Sequence, residues 1–326
     1  MMRARITGTG SAAPDRILTN FDLEKMVETS DDWITTRTGI KERRIAADNE
    51  YTSTLATKAA ERALQMAGIT PDELDLIILA TVTPDFPFPA TACLVQNNLK
   101  ATKAAAYDIS AACSGFIYAL TQANNAIKLG TVRKALIMGA EVLSRIVDWT
   151  DRNTCLLFGD GAGAVILEAT EEERGILSTH IHSDGSHWEL LYQPGCGNRN
   201  PAVQQTLDNR LTFLHMQGNE VFKLAVRAMG EAAIEALETN GLSPADVTLL
   251  IPHQANRRII DATAKRLDLS AHQVFVNLDH YGNTSAASIP LALDEAHRTG
   301  KIKAGDLILL DAFGGGLTWG SALIRW

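Results

Sequence analysis

Three residues and one glycine run in this sequence sit where they could do chemistry. Ala106-Tyr107-Asp108-Ile109-Ser110-Ala111-Ala112 reads as a strand running through small residues into Cys113-Ser114-Gly115-Phe116, where a helix begins. A thiol there lies at the positive end of a helix dipole, which lowers its pKa and favours the nucleophilic thiolate. The opposing reading is a buried, inert cysteine, and position alone leaves both open. Cys93, Cys155 and Cys196 have no comparable setting and read as inert thiols. His253 follows the apolar run Leu249-Leu250-Ile251-Pro252 and opens a helical pattern. The carboxyl end of a strand is where α/β folds place chemistry, and it is also where a side chain caps a helix. Asn283, in Gly282-Asn283-Thr284-Ser285, precedes a helix of small residues and by default forms a cap or turn.

Gly314-Gly315-Gly316 leads into a strand, which separates it from a phosphate loop. Bare glycines let backbone N–H groups approach an oxyanion, or they make a hairpin turn. Arg258 and Arg266 are two helical turns apart on one face with Lys265 adjacent, and Lys223 and Arg227 stand at i,i+4 on another expected helix. These basic faces are either solvated surface or a docking patch for something acidic. Two weaker patterns are set aside. Gly8-Thr9-Gly10-Ser11-Ala12-Ala13 fits a dinucleotide-binding turn, but little strand precedes it and Pro14 follows. His180-x-His182, with His187 and Cys196 nearby, falls in a polar loop region, so no metal-ligand set is expected.

The elements that must position these residues are duplicated. Residues 57–80 align without gaps on 230–253, an apolar helix, a Gly-x-[TS]-Pro turn and a buried strand in each copy. Phe158-Gly159-Asp160-Gly161-Ala162-Gly163 similarly matches Phe313-Gly314-Gly315-Gly316 and the strand after it. This spacing is far too long for a solenoid repeat and predicts two similar α/β halves, 1–173 and 174–326, with long functional loops over 170–215. Cys113 and Asn283 then occupy comparable strand-to-helix junctions of the two halves.

Composition narrows the class. With 46% hydrophobic and 21% charged residues the chain is an ordinary globular protein, and a net charge of −8 argues against general nucleic-acid binding. No apolar run approaches the roughly 18 residues of a membrane span, and the start lacks a secretory apolar stretch, so a cytoplasmic protein with reduced cysteines is expected.

Cys113, His253 and Asn283 together resemble the thiolase-fold condensing enzymes, and within them the β-ketoacyl-acyl carrier protein synthase III family. The resemblance covers essentially the whole chain. It rests on Thr29-Ser30-Asp31-Asp32-Trp33-Ile34, Arg37-Thr38-Gly39-Ile40, Ala112-Cys113-Ser114-Gly115-Phe116, Trp149-Thr150-Asp151-Arg152, Met216-Gln217-Gly218-Asn219, His253-Gln254-Ala255-Asn256, Gly282-Asn283-Thr284-Ser285 and Phe313 to Gly320. It implies a thiolase-like αβαβα sandwich of two duplicated halves, usually a homodimer, and no cofactor, with a coenzyme A thioester as substrate. Cys113 would take a short acyl group, acetyl foremost, from acyl-CoA. His253 and Asn283 would hydrogen-bond the thioester oxygen of malonyl-acyl carrier protein during decarboxylation, and the N–H groups of Cys113 and Gly315 would form an oxyanion hole. Thr29, Trp33, Arg37, Arg152 and Asn256 would bind coenzyme A. Lys223, Arg258, Lys265 and Arg266 would meet an acidic acyl carrier protein. Phe158, Phe222, Phe313 and a Phe88 reaching across the dimer would shape the acyl pocket. The rivals are a related condensing enzyme of polyketide or secondary metabolism with another donor or acceptor, a Cys-His-Asn hydrolase, and a non-catalytic carrier binder.

Overall fold

Aliphatic runs without helical periodicity, such as Leu76–Ala80 and Leu307–Gly314, become strands buried on both faces. The computed structural model, which describes residues 2–326, arranges the main strands in two sheets. The first runs Arg3–Ala12, Gly161–Thr170, Lys134–Glu141, Leu76–Ala80, Ala105–Ile109. The second runs Gly175–Ser183, Thr318–Arg325, Leu307–Gly314, Leu249–Pro252. In each, two antiparallel pairings are followed by a parallel one. Where the first sheet has Ala105–Ile109, the second keeps a single parallel bridge, Leu250 to Val274.

The repeated sequence folds as a repeat. Helix Thr52–Ala67, left-handed Gly68 and the turn Pro71–Glu73 feed Leu76–Ala80. Helix Gly218–Thr239, left-handed Gly241 and the turn Pro244–Asp246 feed Leu249–Pro252 in the same order. Both helices lie on the outer faces of their sheets. Two further helices, Gly115–Lys128 and Ser288–Arg298, are enclosed between the sheets. Ile117, Leu120, Ile289 and Leu293 from these helices share one core with Ile78 and Val165 of the first sheet and Ile251 and Leu310 of the second. The result is a five-layer αβαβα sandwich whose two central helices begin beside Cys113 and Asn283.

The middle layer is pressed tightly between the sheets, because a side chain at Gly139 would collide with the Ala286 carbonyl. Polar ties fix it as well. Asp294, 2% exposed, accepts hydrogen bonds from Thr9 Oγ1 (2.7 Å), Ser11 Oγ (2.6 Å) and Arg298 Nε (2.8 Å). Asp294→Ala would strand two hydroxyls and part of a guanidinium, so unfolding free energy is expected to fall by about 3 kcal/mol. Denaturant unfolding checks this, and a loss under about 1 kcal/mol would show that water replaces the carboxylate without cost.

Candidate active site

Cys113 sits on the short turn Ala112–Ser114 between the edge strand Ala105–Ile109 and the central helix Gly115–Lys128. The preceding Ala112 is left-handed, with φ 45°. Opposite it, Gly314 packs so closely on the Cys113 amide that any side chain there would clash. Thr318 holds this contact, since its Oγ1 lies 2.6 Å from Ser114 Oγ and within hydrogen-bond reach of the Ala111 (2.9 Å) and Gly315 (3.2 Å) carbonyls.

A cleft of about 270 Å³ opens over the thiol, and Cys113, His253 and Asn283 all line it together with Trp33, Arg37 and Asn256. No Asp or Glu lines this cleft. His253 ends the strand Leu249–Pro252, its N–H donating to the Asp311 carbonyl at 2.7 Å. Its Nδ1 lies 2.6 Å from Ser288 Oγ, which also accepts the Gln254 N–H at 3.4 Å. A Ser288 hydroxyl that donates to Nδ1 sets the imidazole proton on Nε2. Asn283 is 7% exposed, and its Oδ1 accepts the Ser285 N–H at 2.9 Å, which leaves Nδ2 as the donor group. Both residues thus offer N–H donors.

The helix dipole predicts a lowered thiol pKa, and the site reverses this. Burial pushes the Cys113 thiol up to about 11, opposed by the Ser285 hydroxyl and reinforced by the Glu141 carboxylate. Helix termini contribute up to about 2 kcal/mol, whereas full burial shifts a pKa by up to about 3–5 units at about 1.4 kcal/mol each. Burial likewise lowers His253 to about 3. Burial thus favours the neutral thiol and the neutral imidazole over a thiolate–imidazolium pair. Alkylation of Cys113 by iodoacetamide should therefore climb about tenfold per pH unit from about pH 7 to 9, the thiolate fraction still growing below its pKa. A plateau near neutrality would mean that the dipole wins.

A second chamber of about 320 Å³ adjoins the thiol on its other side, lined by Cys113 and Gly315 and by Val82, Leu143, Ile146 and Leu214. Phe158 borders both spaces. Phe222 and Phe313 line the cleft and do not border the chamber. Phe88 lines neither within its own chain; it is 84% exposed, beside the exposed Phe86.

At the mouth of the cleft, the Arg37 and Arg152 guanidiniums stack on the Trp33 ring at 4.7 and 4.4 Å. Thr29 is half-buried and does not line the cleft. Asn256 caps the helix Arg257–Arg266 through Oδ1 and donates from Nδ2 to the Arg37 carbonyl at 3.3 Å, so it serves as a cap and as cleft lining together. Arg258 lines the cleft with its guanidinium over Phe222, and Lys223 pairs with Glu220 at 2.8 Å. Arg266 packs on Gly230. Lys265 faces a different depression, with Arg257 and Asp261, so it stands apart from Arg258 and Arg266.

Family models for 3-oxoacyl-[acyl-carrier-protein] synthase III match residues 107–185 and, for its C-terminal part, 237–326. A β-ketoacyl-[acyl-carrier-protein] synthase III of Caldanaerobacter subterraneus is 58% identical over 99% of this chain and 98% of its own. The chain belongs to the β-ketoacyl-[acyl-carrier-protein] synthase III family. Like other members it is an acyltransferase of the condensing type with a thiolase fold. The crystal structure of 3-oxoacyl-[acyl-carrier-protein] synthase III from Aquifex aeolicus superposes with a TM-score of 0.93 at 55% identity, covering 99% of this chain and all of that one. The priming β-ketosynthase of the R1128 polyketide pathway superposes at 0.92 with 36% identity, covering 99% of this chain and 96% of that one.

Several residues of this synthase-family site carry no motif of their own. Ser288 stands five residues past Asn283, and only the position of His253 beside it gives it meaning. The chamber gathers Leu143 and Ile146 of one short turn with Val82 and Leu214 from two other segments, and nothing in the spacing of the three segments predicts that they meet. Thr318 has a signal, because it stands two residues past the glycine run that it anchors.

Proposed function

We propose that this synthase initiates type II fatty acid biosynthesis by condensing a short acyl-CoA, acetyl-CoA foremost, with malonyl-acyl carrier protein. Cys113 loses its proton and attacks the acyl-CoA carbonyl. The N–H groups of Cys113 and Gly315 hold the oxyanion, and coenzyme A leaves as the thiol. Malonyl-acyl carrier protein then enters. The donors His253 Nε2–H and Asn283 Nδ2–H hold its thioester oxygen while the C–CO₂ bond breaks, and the resulting enolate carbon attacks the acyl-Cys113 carbonyl. The Cys113 C–S bond breaks, 3-oxoacyl-acyl carrier protein forms, and the thiol is regenerated with a proton from solvent.

One observation carries this reading: the cleft shared by Cys113, His253 and Asn283 contains no carboxylate to act as a base. A carbanion in such a site comes from loss of CO₂, and donors stabilise the charge that follows. The same chemistry needs no cofactor. Arg37, Arg152 and Trp33 suit an adenine ring and phosphates, with Thr29 and Asn256 beside the path of the thioester arm. Lys223, Arg258, Lys265 and Arg266 suit an acidic carrier, Arg258 lying nearest the cleft. In this reading residues 1–173 bring the nucleophile and 174–326 the two donors, and the enzyme works in the cytoplasm with its carrier.

A homodimer fits the same reading. The strand Ala105–Ile109 is a sheet edge, and Tyr107, Phe86 and Phe88 are exposed. An uncovered edge of this kind is normally hidden by a partner, and a second copy would bring Phe88 towards a neighbouring chamber. A condensing role in polyketide or secondary metabolism is the second reading, favoured by the likeness to the R1128 priming enzyme and by a chamber of about 320 Å³.

The test is intact mass after brief exposure to a panel of acyl-CoAs, followed by malonyl-acyl carrier protein. An acetyl adduct on Cys113 that malonyl-carrier converts to 3-oxobutanoyl-carrier supports the first reading. Strong preference for long or branched donors moves the enzyme to another pathway. No adduct from any folded sample defeats both.

A further inference from the structure

Arg43 is the largest side chain buried entirely inside the protein, at 0% exposure. No carboxylate bonds it. Its Nη1 donates to Asn20 Oδ1 at 2.9 Å and the Leu18 carbonyl at 3.3 Å, its Nη2 donates to the Leu156 carbonyl at 2.6 Å, and Nε has no partner. Burying a cation against neutral acceptors is costly, and an apolar side chain of the same volume would fill the space more cheaply. The arrangement therefore calls for an explanation beyond packing, and its bonds lead in two directions.

One leads to Asn283. Leu156 directly precedes the segment bridged to it: the Asn283 N–H donates to the Leu157 carbonyl at 2.8 Å, and the Gly159 N–H donates to the Asn283 carbonyl at 3.0 Å. The Arg43 side chain lies directly against this bridge, since a Cβ on Gly159 or Gly282 would come within 3.1 or 3.2 Å of Arg43 Cβ. The other leads to the mouth of the cleft. Asn20, which accepts from Arg43, donates through Nδ2 to Asp31 Oδ1 and to the Ile40 carbonyl, both at 2.8 Å. Asp31 opens the helix Asp31–Thr38 that carries Trp33 and Arg37, and Ile40 lies two residues past its end.

We propose that Arg43 is a positioning residue that ties the Asn283 backbone and the Trp33–Arg37 helix to one buried point, keeping the carbanion-stabilising amide in register with the mouth of the cleft. The inference rests on the donor role of Asn283 proposed above. A planar guanidinium suits this task because it bonds in several fixed directions at once, which a lysine ammonium on a single flexible stem does not. A displacement of about 1 Å at a reacting group costs about 100-fold in rate, so a loosened bridge reaches the chemistry without any contact from Arg43 to substrate.

The experiment separates the two half-reactions in Arg43→Lys, Arg43→Met, Asn20→Asp and, as benchmark, Asn283→Ala, each checked for folding by circular dichroism. Acylation of Cys113 is followed by mass at saturating acetyl-CoA, and CO₂ release from malonyl-acyl carrier protein is followed with pre-acylated enzyme. In folded Arg43→Lys and Arg43→Met, acylation should stay within about threefold while CO₂ release falls at least about tenfold. Asn20→Asp keeps the acceptor for Arg43 and loses the donor to Asp31 and Ile40. It should raise the acetyl-CoA KM at least about fivefold and leave CO₂ release from the acylated enzyme nearly unchanged. Equal loss of both steps in the Arg43 variants, or loss of neither, overturns the inference if Asn283→Ala abolishes CO₂ release. Should neither Arg43 variant fold, Asn20→Asp decides, with an unchanged KM overturning it. CO₂ release that survives Asn283→Ala would instead remove the donor role on which the inference stands.

Discussion

Cys113→Ala is expected to bind acyl-CoA, form no acyl-enzyme, and lose condensation by at least about 10⁴-fold. The sulfur is the only atom that could carry the acyl group between the two substrates, and nothing else in the cleft replaces it. Cys93 and Cys155 line neither cavity, and Cys196 lies on the surface. Binding should survive because Trp33, Arg37 and Arg152 stand at the other end of the cleft and do not touch the thiol turn. Removing one small atom from a wall that already faces open space leaves little new cavity, so the fold should be retained. The diagnostic residue of activity is CO₂. His253 and Asn283 remain in place, so the variant should still release CO₂ from malonyl-acyl carrier protein, slowly and without product formation. An acyl adduct on the variant at the wild-type rate would mean that another side chain is the nucleophile.

That prediction could be drawn from the sequence because the triad's residues lie at the ends of regular elements. Cys113 and His253 follow strands, whereas Asn283, expected at a strand-to-helix junction, follows the short helix Leu278–Tyr281 and is held by its bridge to Phe158; what it shares with Cys113 is the short turn that leads into a central helix. Helix, turn and strand were equally legible, since Gly68 with Pro71 and Gly241 with Pro244 punctuate both copies in the same way. The missing fifth strand of the second half was not legible. Its segment is extended but makes only the Leu250–Val274 bridge, and a local pattern does not reveal how many ladder bonds a strand will find.

The protonation state of the Cys113 thiol stays open in the sequence for a related reason. A helix terminus is visible in sequence, whereas desolvation depends on everything that closes over the thiol: Gly314 from one direction, Ser285 and Glu141 from others. The basic residues show the same limit. Arg258 and Arg266 both reach the helix Gly218–Thr239, over Phe222 and against Gly230, whereas Lys265 lines another depression with Asp261 and Arg257, about one and two turns before it, so spacing along the helix does not tell which way these long side chains turn. Arg43 had no signal at all. In sequence it is one basic residue of a Lys-Glu-Arg-Arg run, and its importance lies in three neutral acceptors brought from distant parts of the chain.

His253→Ala should divide the two half-reactions, sparing acylation within about tenfold while slowing CO₂ release and condensation by about 10²–10³, the usual cost of one buried oxyanion donor. In the proposed mechanism the acylation oxyanion takes backbone donors from Cys113 and Gly315, which the substitution leaves untouched. The malonyl thioester oxygen would keep only the Asn283 amide. Because burial holds His253 near pKa 3, the imidazole stays neutral throughout the working range. The CO₂ step in the parent enzyme should therefore be flat from about pH 5 to 9, with no inflection near the ordinary histidine value of about 6.5. Ser288→Ala removes the hydroxyl that directs the ring proton to Nε2, and should reproduce part of the His253→Ala loss with the ring still present. If both half-reactions instead fall equally in His253→Ala, the imidazole is taking the Cys113 proton as a base. A neutral ring beside a thiol near pKa 11 would then be a proton carrier first and a hydrogen-bond donor second.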